Sequence, residues 1–141
     1  MKVQECMSRD VRVISPDDTI ERAAQMMAQI DAGVLPVGKN DKLVGMITDR
    51  DIAIRGVAEG CKPDARVGDI MSQEVLYCYD DEDTDEVLEN MAEIQVRRMP
   101  VVNHDKRLVG IVSISDIAKD EEKEAGEALR DITRPSALHS Q

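Results

Sequence analysis

The apolar positions of this chain follow one pattern that occurs twice. Short apolar runs at residues 11–14 and 75–79 each end in an acidic turn. Apolar residues then recur every three or four positions over 20–30 and 84–94, which is typical of a helix with one buried face. Two more apolar runs separated by a polar turn predict a hairpin. The order strand, helix, hairpin and closing helix is therefore predicted in both halves of the chain.

Local signals give these elements approximate bounds. Asp18 with Glu21, and Asp83 with Glu86, have the capping-box spacing that opens a helix. The predicted buried faces are Ile20, Ala23, Met27 and Ile30 in the first copy, and Val87, Leu88, Met91 and Ile94 in the second. Hairpins are expected at 34–47 and 99–112, and closing helices at 49–59 and from 114 to about 132. The leading strand should lie parallel to the next one, because a helix connects them by a right-handed crossover.

The two copies align residue by residue. Residues 7–37 match 71–101 at an offset of 64, and the offset becomes 65 after one extra residue in the second hairpin turn. Beyond that turn, Leu43-Val44-Gly45 matches Leu108-Val109-Gly110. An internal duplication explains this agreement. The predicted organisation is one repeat at 1–62, a second at 63–125, and a helix end with a flexible tail at 126–141.

Composition restricts the class of protein. The 141 residues carry a formal net charge of -11, so the phosphates of nucleic acids and of anionic membranes would repel the chain. The longest apolar runs are far shorter than the ~18 residues of a membrane span, and the N-terminus lacks the order of a signal peptide. Cys6, Cys61 and Cys78 lack the spacing of a metal or disulfide motif. A protein of the cytoplasm with reduced thiols, and without nucleic-acid or membrane partners, is expected.

The repeated motifs resemble those of the CBS-domain family (cystathionine-β-synthase-type repeats), and specifically a stand-alone tandem pair, or Bateman module. The resemblance covers roughly residues 3–120 and depends on Met7-Ser8, Val34 to Val37 and Leu43 to Asp51, with their counterparts Met71-Ser72, Val96 to Val102 and Leu108 to Asp116. It implies an α/β (α+β) fold of two βαββα repeats packed with pseudo-twofold symmetry. It also implies clefts between the repeats that take AMP, ADP, ATP or S-adenosylmethionine.

A Thr/Ser-x-x-Asp motif opens each closing helix, and the resemblance ties this motif to ligand binding. It comprises Thr48 and Asp51 in the first repeat, and Ser113 and Asp116 in the second. By resemblance, the carboxylate bonds the ribose hydroxyls, and the hydroxyl faces ribose or phosphate. The same spacing is also an ordinary helix cap. Both roles are compatible, because the first N–H groups of a helix are free to meet an anion.

Phosphates require cations, and adenine requires apolar surroundings. Arg50, Arg97 and Arg98 adjoin the motifs and are the candidate phosphate partners, with surface ion pairs as the alternative use. The strand edges expected around adenine comprise Val13, Ile14, Val34 and Pro36 in one cleft, and Tyr77, Cys78, Met99 and Pro100 in the other. Family members often have Thr in the first strand, where this chain has Val13 and Tyr77. The Tyr77 ring is expected either to stack on adenine or to fill the cleft.

Signatures of catalysis are missing from the sequence. It contains neither a phosphate-binding P-loop nor a dinucleotide-binding G-x-G-x-x-G motif. His104 falls in a predicted turn without a metal or nucleophile partner at a useful spacing, and Asp80-Asp81 are interpreted as turn and capping residues. No catalytic residue, metal site or required cofactor is predicted.

Two functions remain open. The first is an energy-sensing regulatory module that binds adenosine nucleotides and signals to an unidentified effector protein. The second is a stress-related interaction module with empty or vestigial clefts. In either case a homodimer is expected through the first and closing helices of each repeat, with Ala24 and Met26 adding apolar surface to the first helix.

Overall fold

In the computed structural model, which describes residues 1–118 and 122–133, each repeat contributes one long helix and one hairpin. A 3-10 turn (Val3–Glu5) comes first. The first repeat then comprises α1 (Ile20–Ile30), β1 (Val34–Lys39), β2 (Lys42–Thr48) and α2 (Asp49–Asp51), which runs into a π-helix (Ile52–Val57). Helix α3 (Val67–Ile70) follows at the start of the second repeat. The predicted order of helix, hairpin and closing helix is confirmed.

The second repeat has the same order. Its elements are β3 (Cys78–Tyr79), α4 (Thr84–Ile94), β4 (Arg98–Val102), β5 (Leu108–Ser113), α5 (Ile114–Ala118) and α6 (Glu122–Thr133). The predicted tail beyond residue 133 lies outside the described residues. Within the described ranges, no helix has the length and apolarity needed to cross a bilayer.

The leading strands are shorter than the predicted runs. Strand β3 pairs parallel with β4, and Cys78 lies opposite Val101. In the first repeat, the counterpart is a single parallel bridge between Ile14 and Val37. The parallel direction is confirmed. The strands are short because Ile14 and Cys78 are buried whereas Val13 before Ile14 is exposed, so only the end of each run packs on the core.

The start of α1 differs from the predicted capping box. Thr19 is the N-cap residue, and its hydroxyl accepts the N–H of Arg22 at 3.1 Å. The carboxylate of Asp18 instead accepts the N–H of Ser15 at 3.0 Å and closes the preceding turn. The predicted capping box of Asp18 with Glu21 is therefore wrong, because the Asp18 carboxylate closes the turn before the helix instead.

The box predicted for α4 is also wrong. Asp83 is the N-cap residue, but its side chain makes no capping hydrogen bond. Its carboxylate lies 3.2 Å from the Nζ atom of Lys2. A residue from the beginning of the chain, which sequence spacing does not reveal, has taken the acid that would pair with Glu86 in a capping box.

Both predicted apolar helix faces pack in cores. Ile20, Ala23 and Met27 are buried in one cluster, and Val87, Leu88 and Met91 are buried in the other, with Ile30 and Ile94 packed against them. Met26 is only 9% exposed and belongs to the first cluster. The expectation that Met26 adds surface outside the buried face is wrong, because Met26 lies three residues after Ala23 and shares its buried helix face. Ala24 is exposed.

Packing groups the chain into two compact units that do not follow the sequence order. One unit combines Met1–Val11 with residues 76–105 and the described residues from 109 onward. The other combines Arg12–Val75 with Lys106–Leu108. The boundaries 1–62 and 63–125 describe the repeats as sequence copies and stay a prediction. Each compact unit thus combines the main part of one repeat with the short segment that begins the other repeat, which we call its leading segment.

A Met-Ser pair secures each of these segments. Ser8 and Ile111 exchange two backbone hydrogen bonds, both of 2.9 Å. Ser72 and Met46 exchange the equivalent two, of 2.8 and 2.9 Å. The segment therefore adds an antiparallel bridge to the last strand of each hairpin, β5 or β2.

A glycine permits each crossing. A Cβ atom at Gly110 would lie 2.5 Å from Met7 Sδ and 2.9 Å from the Ser8 carbonyl oxygen. A Cβ atom at Gly45 would lie 2.7 Å from the sulfur of Met71 and 2.8 Å from a backbone oxygen. Close backbone approach of this kind is a common reason for glycine in a strand. It accounts for the Leu-Val-Gly sequence in both copies.

We expect Gly110→Ala to destabilise the protein by about 1–3 kcal/mol, as overpacking of a close contact does. The backbone oxygen of Ser8 cannot retreat without losing its bond to Ile111. The control is Gly126→Ala in α6, where a Cβ atom meets nothing within 4 Å. This change should stabilise the helix by about 0.5–1 kcal/mol. Urea unfolding measures both, and a Gly110 variant as stable as the control would contradict the crossing geometry.

Candidate functional site

The Thr-x-x-Asp motif of the first repeat forms a complete capping box where β2 ends and α2 begins. The Thr48 hydroxyl accepts the Asp51 N–H at 3.0 Å, and the Asp51 carboxylate accepts the Thr48 N–H at 3.0 Å. Both side chains are half-buried. The helix-cap use of this motif is therefore confirmed. It engages only one of the two carboxylate oxygens of Asp51 in these bonds.

The second repeat repeats this geometry. The Ser113 N–H donates to Asp116 Oδ2 at 3.0 Å, and the Asp116 N–H donates to Ser113 Oγ at 3.1 Å. The Ser113 hydroxyl also lies 2.9 Å from the hydroxyl of Ser115. Both motifs thus present a hydroxyl and a carboxylate on one helix turn, held by the same pair of bonds.

A cavity of about 600 Å³ opens beside the motif of the second repeat. Cations and hydroxyls form part of its lining, and aliphatic groups with one glycine form the rest. The lining residues are Arg97, Arg98, Ser113, Ile114, Ser115, Ala118, Gly126 and Leu129. A largely apolar cavity with a few convergent polar groups is the usual form of a small-molecule site. The structure thus brings three predicted site residues, the two arginines and Ser113, to one cavity.

The candidate arginines have no ion-pair partner among the described residues. Arg66 and Arg107 pair with aspartates at 3.7 and 3.2 Å, whereas no carboxylate lies within ion-pair distance of Arg50, Arg97 or Arg98 in the described ranges. These three arginines are exposed. In a chain with a net charge of -11, cations that meet no carboxylate are available to an anionic ligand.

Of the apolar residues predicted for the first repeat, Val34 lies opposite Thr48 in the β1–β2 pairing, whereas others lie at a separate cavity. Val13 and Ile14 line a second cavity, of about 390 Å³, with residues of the first hairpin turn. The Ile14 N–H donates to the carbonyl of buried Pro36 at 3.1 Å, and Val34 is half-buried. The lining of this cavity does not include Thr48, Arg50 or Asp51. Their common site stays a prediction.

The apolar residues predicted for the second repeat are mostly core residues. Met99 is 3% exposed, and Pro100 beside it is buried. Burial, and then the nearby Glu82 carboxylate, raise the pKa of the Cys78 thiol to about 12. The neutral Cys78 thiol lies 3.8 Å from the carbonyl oxygen of Pro100 and behaves as a small buried hydrophobe. These residues do not line the cavity beside Arg97.

Tyr77 packs against another aromatic side chain of its own unit. Its ring centroid lies 5.7 Å from that of Tyr79 in an edge-to-face arrangement. Tyr79 in turn stacks on the His104 ring at 4.8 Å. An aromatic cluster therefore holds the exposed Tyr77 ring, and its predicted stacking on adenine or filling of a cleft stays a prediction.

The His104 ring lies beside acidic side chains that its position in the sequence does not suggest. Its Nε2 atom lies 2.7 Å from Asp81 Oδ2, and ligand atoms of Asp80, Asp81 and His104 lie within 4.8 Å of one another. Tertiary packing thus brings to His104 two carboxylates that its spacing in the sequence does not reveal, and the predicted absence of a metal site stays a prediction. Because β3 and β4 run in parallel, residues that follow Tyr79 and residues that follow Val102 meet at one edge. Imidazole and carboxylate are donors that zinc accepts.

The family assignment follows from a match to the whole repeated region. The family model described as CBS domain matches residues 3–56 and again 67–122. The chain belongs to the CBS-domain family. Both copies of the Met-Ser, Leu-Val-Gly and Thr/Ser-x-x-Asp motifs lie inside the matched ranges, so the chain is a CBS pair, and the predicted class of fold is confirmed.

Several relatives share the length of this CBS pair. Hypoxic response protein 1 of Mycobacterium tuberculosis is 39% identical over 140 residues, which is 97% of each chain. CBS domain-containing protein YhcV of Bacillus subtilis is 37% identical over 133 residues, 93% of this chain and 94% of the relative.

Solved structures agree with the fold of the CBS pair. Hypoxic response protein I with two coordinated zinc ions has a TM-score of 0.77 and 39% identity, covering 85% of this chain and 98% of that one. The CBS pair of protein MJ0100, in complex with 5-methylthioadenosine and S-adenosyl-L-methionine, has a TM-score of 0.74 and 28% identity, covering 88% and 98%.

We expect Asp81→Asn to lower the pKa of His104, because the hydrogen bond and then the charge of Asp81 hold that pKa above its ordinary value. The same bond lowers the pKa of Asp81. The pair therefore stabilises the fold between these two values, less as the pH rises through the pKa of His104 or falls through that of Asp81. NMR titration of the His104 ring measures the shift. Asp105→Asn is the control, and an equal shift in both variants would contradict the pairing.

Proposed function

We propose that this CBS pair is a non-catalytic regulatory module that binds an adenosine nucleotide at its Thr/Ser-x-x-Asp motifs. The observation that carries the proposal is the cavity that Arg97, Arg98 and Ser113 share. Its arginines meet no carboxylate among the described residues, and its other walls are largely aliphatic. A nucleotide needs this combination, because the phosphate requires cations and the base requires apolar contact.

The capping boxes leave room for a second role. In each box one carboxylate oxygen of the aspartate accepts the backbone N–H of the motif's first residue. The other oxygen of Asp51 or Asp116 is then suited to a ribose hydroxyl, which donates to a carboxylate in a charge-assisted bond. The solved complex of the MJ0100 pair with two adenosine compounds supports an adenosine ligand for a CBS pair.

One observation favours a second function, that of a stress-related interaction module. The likeness to hypoxic response protein 1 extends over 97% of both chains. The buried positions of Met99 and Pro100, together with the Tyr77–Tyr79 contact, leave fewer apolar groups for adenine than the sequence predicts. In this alternative the clefts stay empty, and the output is contact with another protein.

In either function we propose an effector protein as the recipient of the signal and the cytoplasm as the compartment. The three cysteines, Cys6, Cys61 and Cys78, are free thiols in the structure, which suits a reducing environment. The neutral, buried Cys78 thiol is poorly suited to redox chemistry.

Adenosine nucleotides at millimolar concentration should raise the melting temperature, because a ligand that binds only the folded chain stabilises it, by about 2.7 kcal/mol at 100 Kd. Asp51→Asn and Asp116→Asn should each weaken the binding of an adenosine ligand at their own motif while changing stability by less than about 1 kcal/mol, since asparagine still caps. Asp64→Asn, in an exposed loop, is the control. Failure of adenosine ligands to shift the wild type would favour the interaction module, and unchanged affinity in the Asp51/Asp116 double variant would refute the ribose contact.

We also propose a homodimer through the closing helix of the first repeat. Ile54 and Val57, on the π-helix segment, are 49% and 68% exposed. A second copy is the commonest partner for an apolar surface of this kind. Sedimentation at 0.15 M salt should give twice the mass of the chain for the wild type. The Val57→Glu variant should sediment with the mass of a single chain. Leu76→Glu is the control, since Leu76 is an exposed aliphatic residue of the other unit, at 49%. A monomeric wild type at tens of micromolar would contradict the proposal.

A further inference from the structure

Equivalent backbone hydrogen bonds allow the surroundings of the two motifs to be compared position by position. The Asp49 N–H donates to the Gly33 carbonyl at 2.9 Å, and the Ile114 N–H donates to the Arg97 carbonyl at 3.0 Å. Gly33 and Arg97 therefore occupy the same place in their repeats, and so do Asp49 and Ile114. The backbone is shared, but the side chains at these places have opposite character.

In the first repeat this place holds an acid. The Asp49 carboxylate lies so close to Gly33 that a Cβ atom there would be 2.9 Å from Oδ2. Its Oδ1 atom also accepts the Arg50 N–H at 2.8 Å, which fixes the carboxylate at the start of the helix. The negatively charged Asp49 carboxylate occupies the space that a larger side chain at residue 33 would need. The charges of Asp49 and Arg50 cancel, and Val34 adds none.

In the second repeat the same place holds cations. Arg97 replaces the glycine, Arg98 replaces Val34, and Ile114 replaces the acid. Two positive charges and the hydroxyls of Ser113 and Ser115 thus line one cavity, and the described residues that line it include no acid. Helix α6 completes this cavity with aliphatic surface from Leu129.

From this contrast we infer that the two motifs select different ligands. The motif of the second repeat takes the phosphorylated adenosine ligand through Arg97 and Arg98. The motif of the first repeat disfavours phosphate because of Asp49, and takes an uncharged or cationic nucleoside. The inference rests on the proposed function and specifies the ligand class of each motif. An arginine guanidinium donates two parallel hydrogen bonds to two phosphate oxygens, whereas a fixed carboxylate repels these oxygens.

Calorimetric titration of the full chain with ADP and, separately, with adenosine tests the assignment. Arg97→Gln/Arg98→Gln should weaken ADP binding at least about tenfold, the loss expected when charge-assisted bonds are removed. Adenosine binding should change by less than twofold, because adenosine has no phosphate. Arg22→Gln/Arg66→Gln, which removes the same net charge from the other compact unit, is the control and should leave both affinities unchanged.

Asp49→Asn tests the acid of the first repeat. Asp49 is exposed, so the variant should fold, and removing its charge should add a second ADP site to the single site of the wild type. Equal weakening of ADP and adenosine in the double arginine variant, or unchanged ADP binding, would overturn the inference and leave the proposed function standing. A wild type that binds neither compound would refute the proposed function, and the inference with it.

Discussion

The close approach of a Met-Ser segment to a glycine is the contact on which each half of this molecule depends. The segment covers the outer edge of the hairpin and satisfies two backbone groups on it, at Met46 in one unit and Ile111 in the other. An uncovered edge strand would present unpaired N–H and C=O groups to other chains. Only glycine at residues 45 and 110 lets the sulfur and the backbone come this near. One absent methyl group per repeat thus determines whether the sheet is complete.

The candidate site begins immediately after this contact. Thr48 lies two positions after Met46, and Ser113 two positions after Ile111, so the crossing fixes the strand end that carries each capping hydroxyl. The bonds inside the two caps agree within 0.1 Å. The helix start is therefore a constant frame, and neighbouring side chains can change charge without moving it. A duplicated fold can in this way carry two sites with different chemistry.

The sequence predicts those parts of the structure that depend on neighbours in the chain. The buried faces of α1 and α4, both hairpins and both Thr/Ser-x-x-Asp caps are local patterns, and each is confirmed in two copies. Two contacts were missed because a distant residue took part. Asp83 meets Lys2 across the start of the chain, and His104 meets Asp81 because two parallel strands end at the same edge. The second case was foreseeable, since a parallel pairing was predicted and both residues lie just beyond it.

The surroundings of the two candidate phosphate-binding arginines also depend on residues that are distant in the sequence. Sequence proximity brought Arg97 and Arg98 under consideration, but it does not show whether one of 29 acidic residues neutralises them. Nor does it show that α6, which lies more than ten residues further on, supplies Leu129 to the same cavity. Both facts depend on tertiary packing. The apolar residues predicted around adenine illustrate the reverse error, since Met99 fits an apolar cleft and a core equally well, and the core holds it.

The leading segments have a consequence for the origin of the duplicated chain. A single repeat built on the same plan would lend its Met-Ser segment to a second molecule and receive one in return, which is a domain-swapped dimer. Joining two such repeats end to end makes both exchanges intramolecular. The lent strand then acts at an effective concentration in the millimolar range, independent of how much protein the cell contains. Gene fusion would have converted a concentration-dependent assembly into a permanent one, and only afterwards could residues 33 and 97 diverge.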